Sequence, residues 1–141
     1  MAADPLTLAH LERALEIAAD VVGDIVPPAM ALFYERFPQA RASFEHHGVG
    51  ATEKLEREMV DNALYCLMTW PLRKSEVQIL LYGSIPHHKN TLEVSEQWYL
   101  GLIDAVVDVI TGALPNDARE ERAALSGIRA GLEQAIRDAL L

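Results

Sequence analysis

Residues 94–114 read VSEQWYLGLIDAVVDVITGAL, a run that is apolar around almost the whole circumference of a helix. Only the row of Glu96, Leu100, Asp104 and Asp108, spaced four apart, is mostly acidic. A helix of this kind must be covered on nearly every side, so we expect it to lie at the centre of the domain. This stretch therefore predicts a bundle of helices built around one central helix.

The rest of the chain repeats apolar residues every three to four positions and shows no strand-like alternation between hairpin turns. Pro38 and the turn residues from His47 to Gly50 are expected to re-aim the chain, and Gly83–Pro86 to interrupt a helix. The predicted helices are Leu6–Val22, one that begins at Pro27-Pro28, Thr52 to about Trp70, one that starts at Ser75, Val94–Leu114, and one capped by Asn116. The expected fold is all-α, with about six to eight helices in one domain spanning residues 1–141.

Charge and composition narrow the classes of partner. The 141 residues include 12 basic and 21 acidic side chains, a formal net charge of −9, without a basic run. We therefore expect no nucleic-acid partner and no anionic membrane surface. The single cysteine, Cys66, allows neither an intramolecular disulfide nor a thiolate metal cluster. No signal peptide or spanning segment is recognisable, so a cytoplasmic protein is expected.

Five histidines are candidates for chemistry: His10, His46, His47, His87 and His88. The first three are expected to be solvated, on a surface helix or at the glycine corner. Neighbouring residues on a helix point about 100° apart, so the pair 87–88 cannot clamp one metal ion and at most one of them faces inward. Alone, the pair is better explained by a half-buried histidine bonded to a carbonyl.

Two further motifs accompany this pair. Residues 33–38 read FYERFP and are followed by Phe44, six positions after the proline, while Val94 and Tyr99 follow His88 by six and eleven positions. With these motifs and the order and length of its helices, the chain resembles the globin family, particularly the bacterial single-domain globins. The resemblance spans nearly the whole chain, and its motifs are moderately specific only when taken together.

The resemblance implies a haem site. His88 becomes the candidate proximal ligand of the iron, with His87 as the fallback, and Phe44 would wedge against the haem face. Tyr34 would be the distal tyrosine facing the gas ligand. The remaining expected pocket residues, on the helices that cross and follow the site, are Leu55, Met59, Val94 and Tyr99. Lys89, His87 and His47 are expected near the pocket mouth, either beside the haem propionates or simply in solvent. Each of these residues also has a plain role in core packing or in a solvated loop.

The chain departs from the family pattern at several points. The stretch from Tyr34 to Phe44 is several residues short, so compacted short helices are expected there. Leu55 stands where many globins have a hydrogen-bonding histidine or glutamine. Pro86 is expected to break the proximal helix, and Glu133 is expected to lie away from the position of the glutamate that flavohaemoglobins place near their proximal histidine.

The leading hypothesis is a haem-binding globin that binds O2 or NO at a histidine-ligated iron, for sensing, scavenging or redox protection. NO dioxygenase turnover would need a separate reductase, and a signalling partner is the other expected protein contact. The alternative is a haem-free globin-fold module for sensing or protein interaction, with the space between Phe44, Met59 and His88 filled by side chains or by a lipid-like molecule. An acid–base enzyme is a distant third, since no paired carboxylates are recognisable. The apolar central helix also suggests a homodimer through the last two helices.

Overall fold

A computed structural model describes the backbone of residues 5–90 and 96–139, and the side chains of residues 6–85 and 97–139. This part of the chain forms seven α-helices and no strand, which confirms the all-α prediction. The helices are α1 Pro5–Val22, α2 Val26–Arg36, α3 Pro38–Gly48, α4 Thr52–Thr69, α5 Lys74–Asn90, α6 Glu96–Ala113 and α7 Arg119–Ala139.

The corner between α1 and α2 is sharp because Gly23 adopts a left-handed backbone with φ +77°. The two helices meet at 93°. Asp24 accepts a hydrogen bond from the backbone N–H of Val26 and also pairs with Arg57 of α4. The corner is thus fastened to the helix that it faces.

The chain turns between α2 and α3 at Phe37, whose backbone is not helical (φ −133°, ψ 74°). Pro38 then opens α3, where a missing N–H costs no helical hydrogen bond. Pro38 therefore re-aims the chain as expected. Helix α3 buries few side chains: Ala40 is its one buried residue, and Phe44 is half-buried. Its sequence therefore has little apolar periodicity, and the pattern did not predict its full extent.

The expected interruption of α5 at Gly83–Pro86 is wrong, because the helix continues from Lys74 to Asn90. Proline at position 86 deprives only the Tyr82 carbonyl of its helical donor. Tyr82 is 57% exposed, so water can reach that turn of the helix. The helix therefore tolerates a proline whose missing hydrogen bond falls on this exposed turn.

Helix α6 lies at the centre, as its all-round apolar sequence predicted. It packs against α1, α2, α4, α5 and α7, and its residues Ile103, Val106 and Ile110 are almost fully buried. Gly101 lets α2 come close, because a Cβ atom there would lie 2.2 Å from the Phe37 ring. Since neighbouring helices of the same chain cover α6, its apolar surface does not by itself call for a second subunit.

The outer helices close around α6 in pairs. Helix α7 packs against α1, α5 and α6, and α4 lies against α2, α3 and α6. No single described helix is both long and apolar enough to cross a bilayer, although α1 and α2 taken together, despite their bend, meet that criterion of length and composition.

Candidate ligand cavity

A cavity of about 490 Å³ lies between α2, α3, α4, α5 and α6. Its volume falls in the range of small-molecule and cofactor sites, and aliphatic and aromatic side chains dominate its lining. The lining residues are Phe33, Ser43, Phe44, His47, Leu55, Met59, Asn62, Ala63, Tyr65, Cys66, Leu80, Ser84, Trp98, Tyr99, Leu102 and Ile103.

Helix α4 supplies one wall through residues that share a face. Leu55, Met59 and Ala63 are spaced four apart, so their side chains stack along the helix toward the cavity. Leu55 and Met59 are two of the expected pocket residues, and the structure brings them together here. Ala63 and Cys66 extend the same face, and the periodicity of α4 could have indicated them as well.

Phe44 of α3 lies between the cavity and an aromatic cluster. Its ring meets Phe33 and Tyr34 edge-on, with centroids 5.9 and 5.8 Å apart. Edge-to-face contacts of this kind fix the orientation of a ring. The expected wedge residue therefore has a rigid seat at the cavity wall.

His47 lies where α3 meets solvent. Its Nδ1 lies 2.9 Å from the backbone oxygen of Ser43 and donates a hydrogen bond to it. The residue lines the cavity but is exposed, which places it at the mouth. His10 and His46 are not among the lining residues.

Helices α5 and α6 meet across a pair of hydroxyls. The Tyr99 and Ser84 oxygens lie 2.7 Å apart and share a hydrogen bond. Burial raises the pKa of Tyr99, so its phenol stays neutral at physiological pH. Tyr99 was expected in the pocket. Ser84 and Trp98, which also line the cavity, were not expected there. Trp98 precedes Tyr99 in the apolar run of α6, and that run could have indicated it.

Tyr34 differs from its expected role. Its hydroxyl donates to Glu56 Oε2 at 2.7 Å, the Arg41 guanidinium lies 4.4 Å above its ring, and the residue does not line the cavity. Burial and the Glu56 carboxylate raise its pKa well above the usual range. The neighbouring residue, Phe33, faces the cavity instead. Successive helical residues point about 100° apart, so the rings of Phe33 and Tyr34 face different surroundings.

The remaining expected site residues fall outside the described side chains. Helix α5 continues past Ser84 to Asn90 and carries positions 87 and 88 in its backbone. The side chains of His87 and His88 are not described, nor is any part of Val94. Of the side chains that are described, no three His, Cys, Asp or Glu residues gather as a set of metal ligands.

Cys66 is the one thiol, and it lies in the cavity wall. Burial raises its pKa to about 11, so it is a neutral, weakly polar group at pH 7. It contributes to an apolar lining rather than to a reactive centre.

A second cluster of charge lies between α6 and α7. Arg129 donates to Asp108 Oδ1 at 2.7 Å, and Arg36 of α2 reaches the other oxygen of Asp108 at 2.8 Å. Asp104, one turn earlier, lies against Glu133, and burial together with this second carboxyl group raises the pKa of Asp104 to about 6. Sequence reasoning missed this carboxyl pair, because its members are 29 positions apart on two helices.

The described lining suits an apolar ligand with polar groups at one edge. Phe44, Leu55 and Met59 offer apolar contact, and exposed polar groups such as His47 lie at the mouth, where carboxylates of a ligand would meet water. Comparisons of this chain with known protein families, curated proteins and solved structures find no match.

Proposed function

We propose that this protein is a haem-binding globin that binds a diatomic gas, O2 or NO, at an iron held by His88. Its role would be sensing, scavenging or redox protection. The observation that supports this most directly is the apolar cavity of about 490 Å³ bordered by α5, the helix whose backbone carries positions 87 and 88. When bound, a haem would supply an iron that coordinates a small gas.

The pairing of the helices supports the same class of protein. Helix α1 packs on α7, α2 on α6, and α5 on α7, and five helices surround one cavity. Globins likewise pack their helices pairwise around the haem pocket. With the motif from Phe33 to Pro38, this arrangement is the basis on which the globin interpretation is proposed.

The residues of the wall have separable tasks in this proposal. Phe44, Leu55 and Met59 would hold the faces of the macrocycle and exclude water. His88 would supply a nitrogen ligand to the iron, with His87 as the alternative. The hydrogen bond between Tyr99 and Ser84 stabilises the contact of α5 with α6 one turn before that histidine. His47 would meet a haem carboxylate at the mouth.

The haem-free alternative makes a different prediction for the same space. It requires side chains or a lipid-like molecule between Phe44, Met59 and His88. The described side chains border a cavity beside Phe44 and Met59, which favours a bound ligand, either haem or a lipid-like molecule, over a space filled by side chains.

Titration of the protein with haemin, followed in the Soret region, tests the proposal. We expect stoichiometric binding by the wild type and a lost or strongly shifted band in His88→Ala. His10→Ala and His46→Ala are matched controls, because neither residue lines the cavity, and both should bind like the wild type. Loss of the band in His87→Ala alone would move the ligand by one residue. A wild-type protein without a Soret band, or one that binds a fluorescent fatty acid instead, would refute the proposal.

The expected partners remain part of this proposal. A reductase would supply electrons to the protein, or a signalling protein would receive its signal. A homodimer through α6 and α7 is also proposed, and sedimentation equilibrium would test it.

A further inference from the structure

We infer that a second copy of this chain docks on an apolar face formed by α4 and α5, with the two copies related by a two-fold axis. The contact lies on different helices from the homodimer through α6 and α7, and it does not depend on haem. Three features of the molecule lead to it: the exposed apolar side chains, the distribution of the acidic residues, and one exposed ion pair.

Exposed apolar side chains are concentrated on α4, on α5 and in the turn between them. Among the described side chains, six of the nine large hydrophobic ones that are exposed lie there, and none belongs to α6 or α7. These six, which we call the α4–α5 face, are Tyr65, Met68, Leu72, Ile79, Leu80 and Tyr82. A concentration of exposed apolar groups marks an interaction site, whereas single ones do not.

The two helices contribute to one continuous face, because Glu76 lies between their apolar side chains. The Tyr65 hydroxyl of α4 donates to Glu76 Oε1 on α5 at 2.9 Å. Ile79 and Leu80 follow Glu76 by three and four positions, so they share its side of α5. Tyr65 and Leu80 also line the same cavity, which confirms that the two helices meet at these residues.

The area of the α4–α5 face suits a dimer. Its six residues are between 41% and 72% exposed, which leaves roughly 600 Å² of mostly apolar surface open. A standard protein–protein interface buries about 800 Å² on each partner, of which a little over half is apolar. The face therefore supplies the apolar part of an interface of ordinary size.

The face belongs to an acid-poor part of a strongly acidic chain. The chain carries 21 acidic residues, but residues 62–92 include only one of them, Glu76. The same segment carries three basic residues, Arg73, Lys74 and Lys89. Two copies with a formal net charge of −9 repel each other, and this repulsion is weakest where acidic side chains are few. The α4–α5 face is therefore a favourable place for two copies to meet.

One ion pair makes the face complementary to itself. Arg73 Nε lies 2.8 Å from Glu76 Oε2, and both side chains are exposed. A two-fold axis through the face brings the same patch of both copies together, so that Arg73 of each copy meets Glu76 of the other. An anionic membrane or a strongly acidic protein would instead meet Glu76 with a like charge, which favours the second copy as the occupant.

Sedimentation equilibrium of the full chain over a range of concentrations tests the inference. We expect the wild type to form a dimer and Ile79→Glu to weaken it at least about thirtyfold, because each copy then places an unpaired charge in the contact. Val21→Glu is the matched control, since Val21 is 65% exposed on α1 and the change in net charge is the same. It should dimerise like the wild type. Circular dichroism should show equal helix content in the three proteins.

An exchange of charges tests the two-fold pairing. Arg73→Glu and Glu76→Arg should each dimerise about tenfold more weakly than the wild type, because like charges then face each other across the axis. An equimolar mixture of the two variants should recover the dimer, since every acidic side chain again meets a basic one. The ion pair within each copy stays broken in the mixture, so recovery reports the contact between copies.

Four results would overturn the inference. A wild type that stays monomeric at every concentration has no second copy on this face. If that monomer binds vesicles of anionic lipid and Ile79→Glu does not, the face is a membrane-binding surface. A dimer that Ile79→Glu leaves unchanged uses other helices, such as α6 and α7. A mixture of the charge variants that stays monomeric contradicts the two-fold pairing. Failure to take up haem, in contrast, would remove the proposed function and leave this inference standing.

Discussion

Asp104 is a carboxyl group that folding makes harder to ionise. It lies against Glu133, its oxygen Oδ1 is buried without a hydrogen-bond partner, and Arg129 approaches that oxygen no closer than 3.8 Å. Burial and Glu133 raise its pKa to about 6, while Arg129 and Asp108, the other charged groups at this site, act in opposite directions. A proton is therefore bound more tightly in the folded chain than in the unfolded one.

This difference predicts how stability depends on pH. Between about pH 4 and 6 the unfolded chain releases the proton of Asp104 while the folded chain retains it, so the contribution of Asp104 to stability is lost as the pH rises. We expect Asp104→Asn to remove that loss and to gain stability relative to the wild type as the pH rises from 4 to 7. Urea denaturation of both proteins at several pH values measures this difference in the free energy of unfolding.

The exposed Asp20→Asn is the control for this experiment, and its stability should follow that of the wild type at every pH. Asp108 has the opposite pH dependence, because folding lowers its pKa. Although burial would raise its pKa, the hydrogen bonds from Arg129 and Arg36 lower it, so its contribution disappears as the pH falls. If Asp104→Asn follows the wild type, the two carboxyl groups do not interact in solution.

Helices α2 and α6 cross closely because position 101 has no side chain. A Cβ atom there would lie 2.2 Å from Phe37 Cε2 and 2.9 Å from Cζ, closer than atoms can approach. Gly101→Ala forces the ring or the helix to move, and overpacking of this kind costs about 1–3 kcal/mol. We expect the free energy of unfolding to fall by about that amount in chemical denaturation.

Gly127→Ala is the matched control, because a Cβ atom at this helical position meets nothing within 4 Å. Alanine is favoured over glycine in a helix interior by about 1 kcal/mol, so this variant should gain stability. Adding Phe37→Leu to Gly101→Ala should recover part of the loss. Equal behaviour of the two alanine variants would show that α2 and α6 are further apart.

Periodicity predicted most helices but not how they face one another. The repeats in α1, α4, α6 and α7 are strong, and the structure has a helix at each of them. Helix α3 lacks such a repeat. The predicted break in α5 overestimated the effect of Pro86, because the hydrogen bond that this proline cannot make belongs to an exposed turn. Of the seven residues that the resemblance indicated for the pocket, Phe44, Leu55, Met59 and Tyr99 line the cavity and Tyr34 does not. The other two, His88 and Val94, lie outside the described side chains.

Tyr34 shows what the sequence could not decide. Phe33 and Tyr34 are both buried and aromatic, so composition does not say which of them faces the cavity. The rotation of α2 decides it, and that rotation depends on the approach of Phe37 to Gly101 and on the Glu56 carboxylate of α4. The residues in these contacts are at least 22 positions apart in the sequence, so no local pattern could predict them.

The chain as a whole separates what holds the fold from what would hold a ligand, and α4 carries both along one row of residues, with Met59 and Leu67 about two turns apart. Leu67 is fully buried in the core and does not line the cavity, whereas Met59 lines the cavity and is only half-buried. Leu67→Ala should lower the free energy of unfolding by about 2–5 kcal/mol, because it leaves a hole in close packing. Met59→Ala should lower the free energy of unfolding of the haem-free protein by less than half of that amount, since the Met59 side chain already borders open space. It should nevertheless weaken haemin binding more than Leu67→Ala does. Urea denaturation of both variants beside a haemin titration measures the two effects, and equal losses of stability would mean that the cavity is closed in solution.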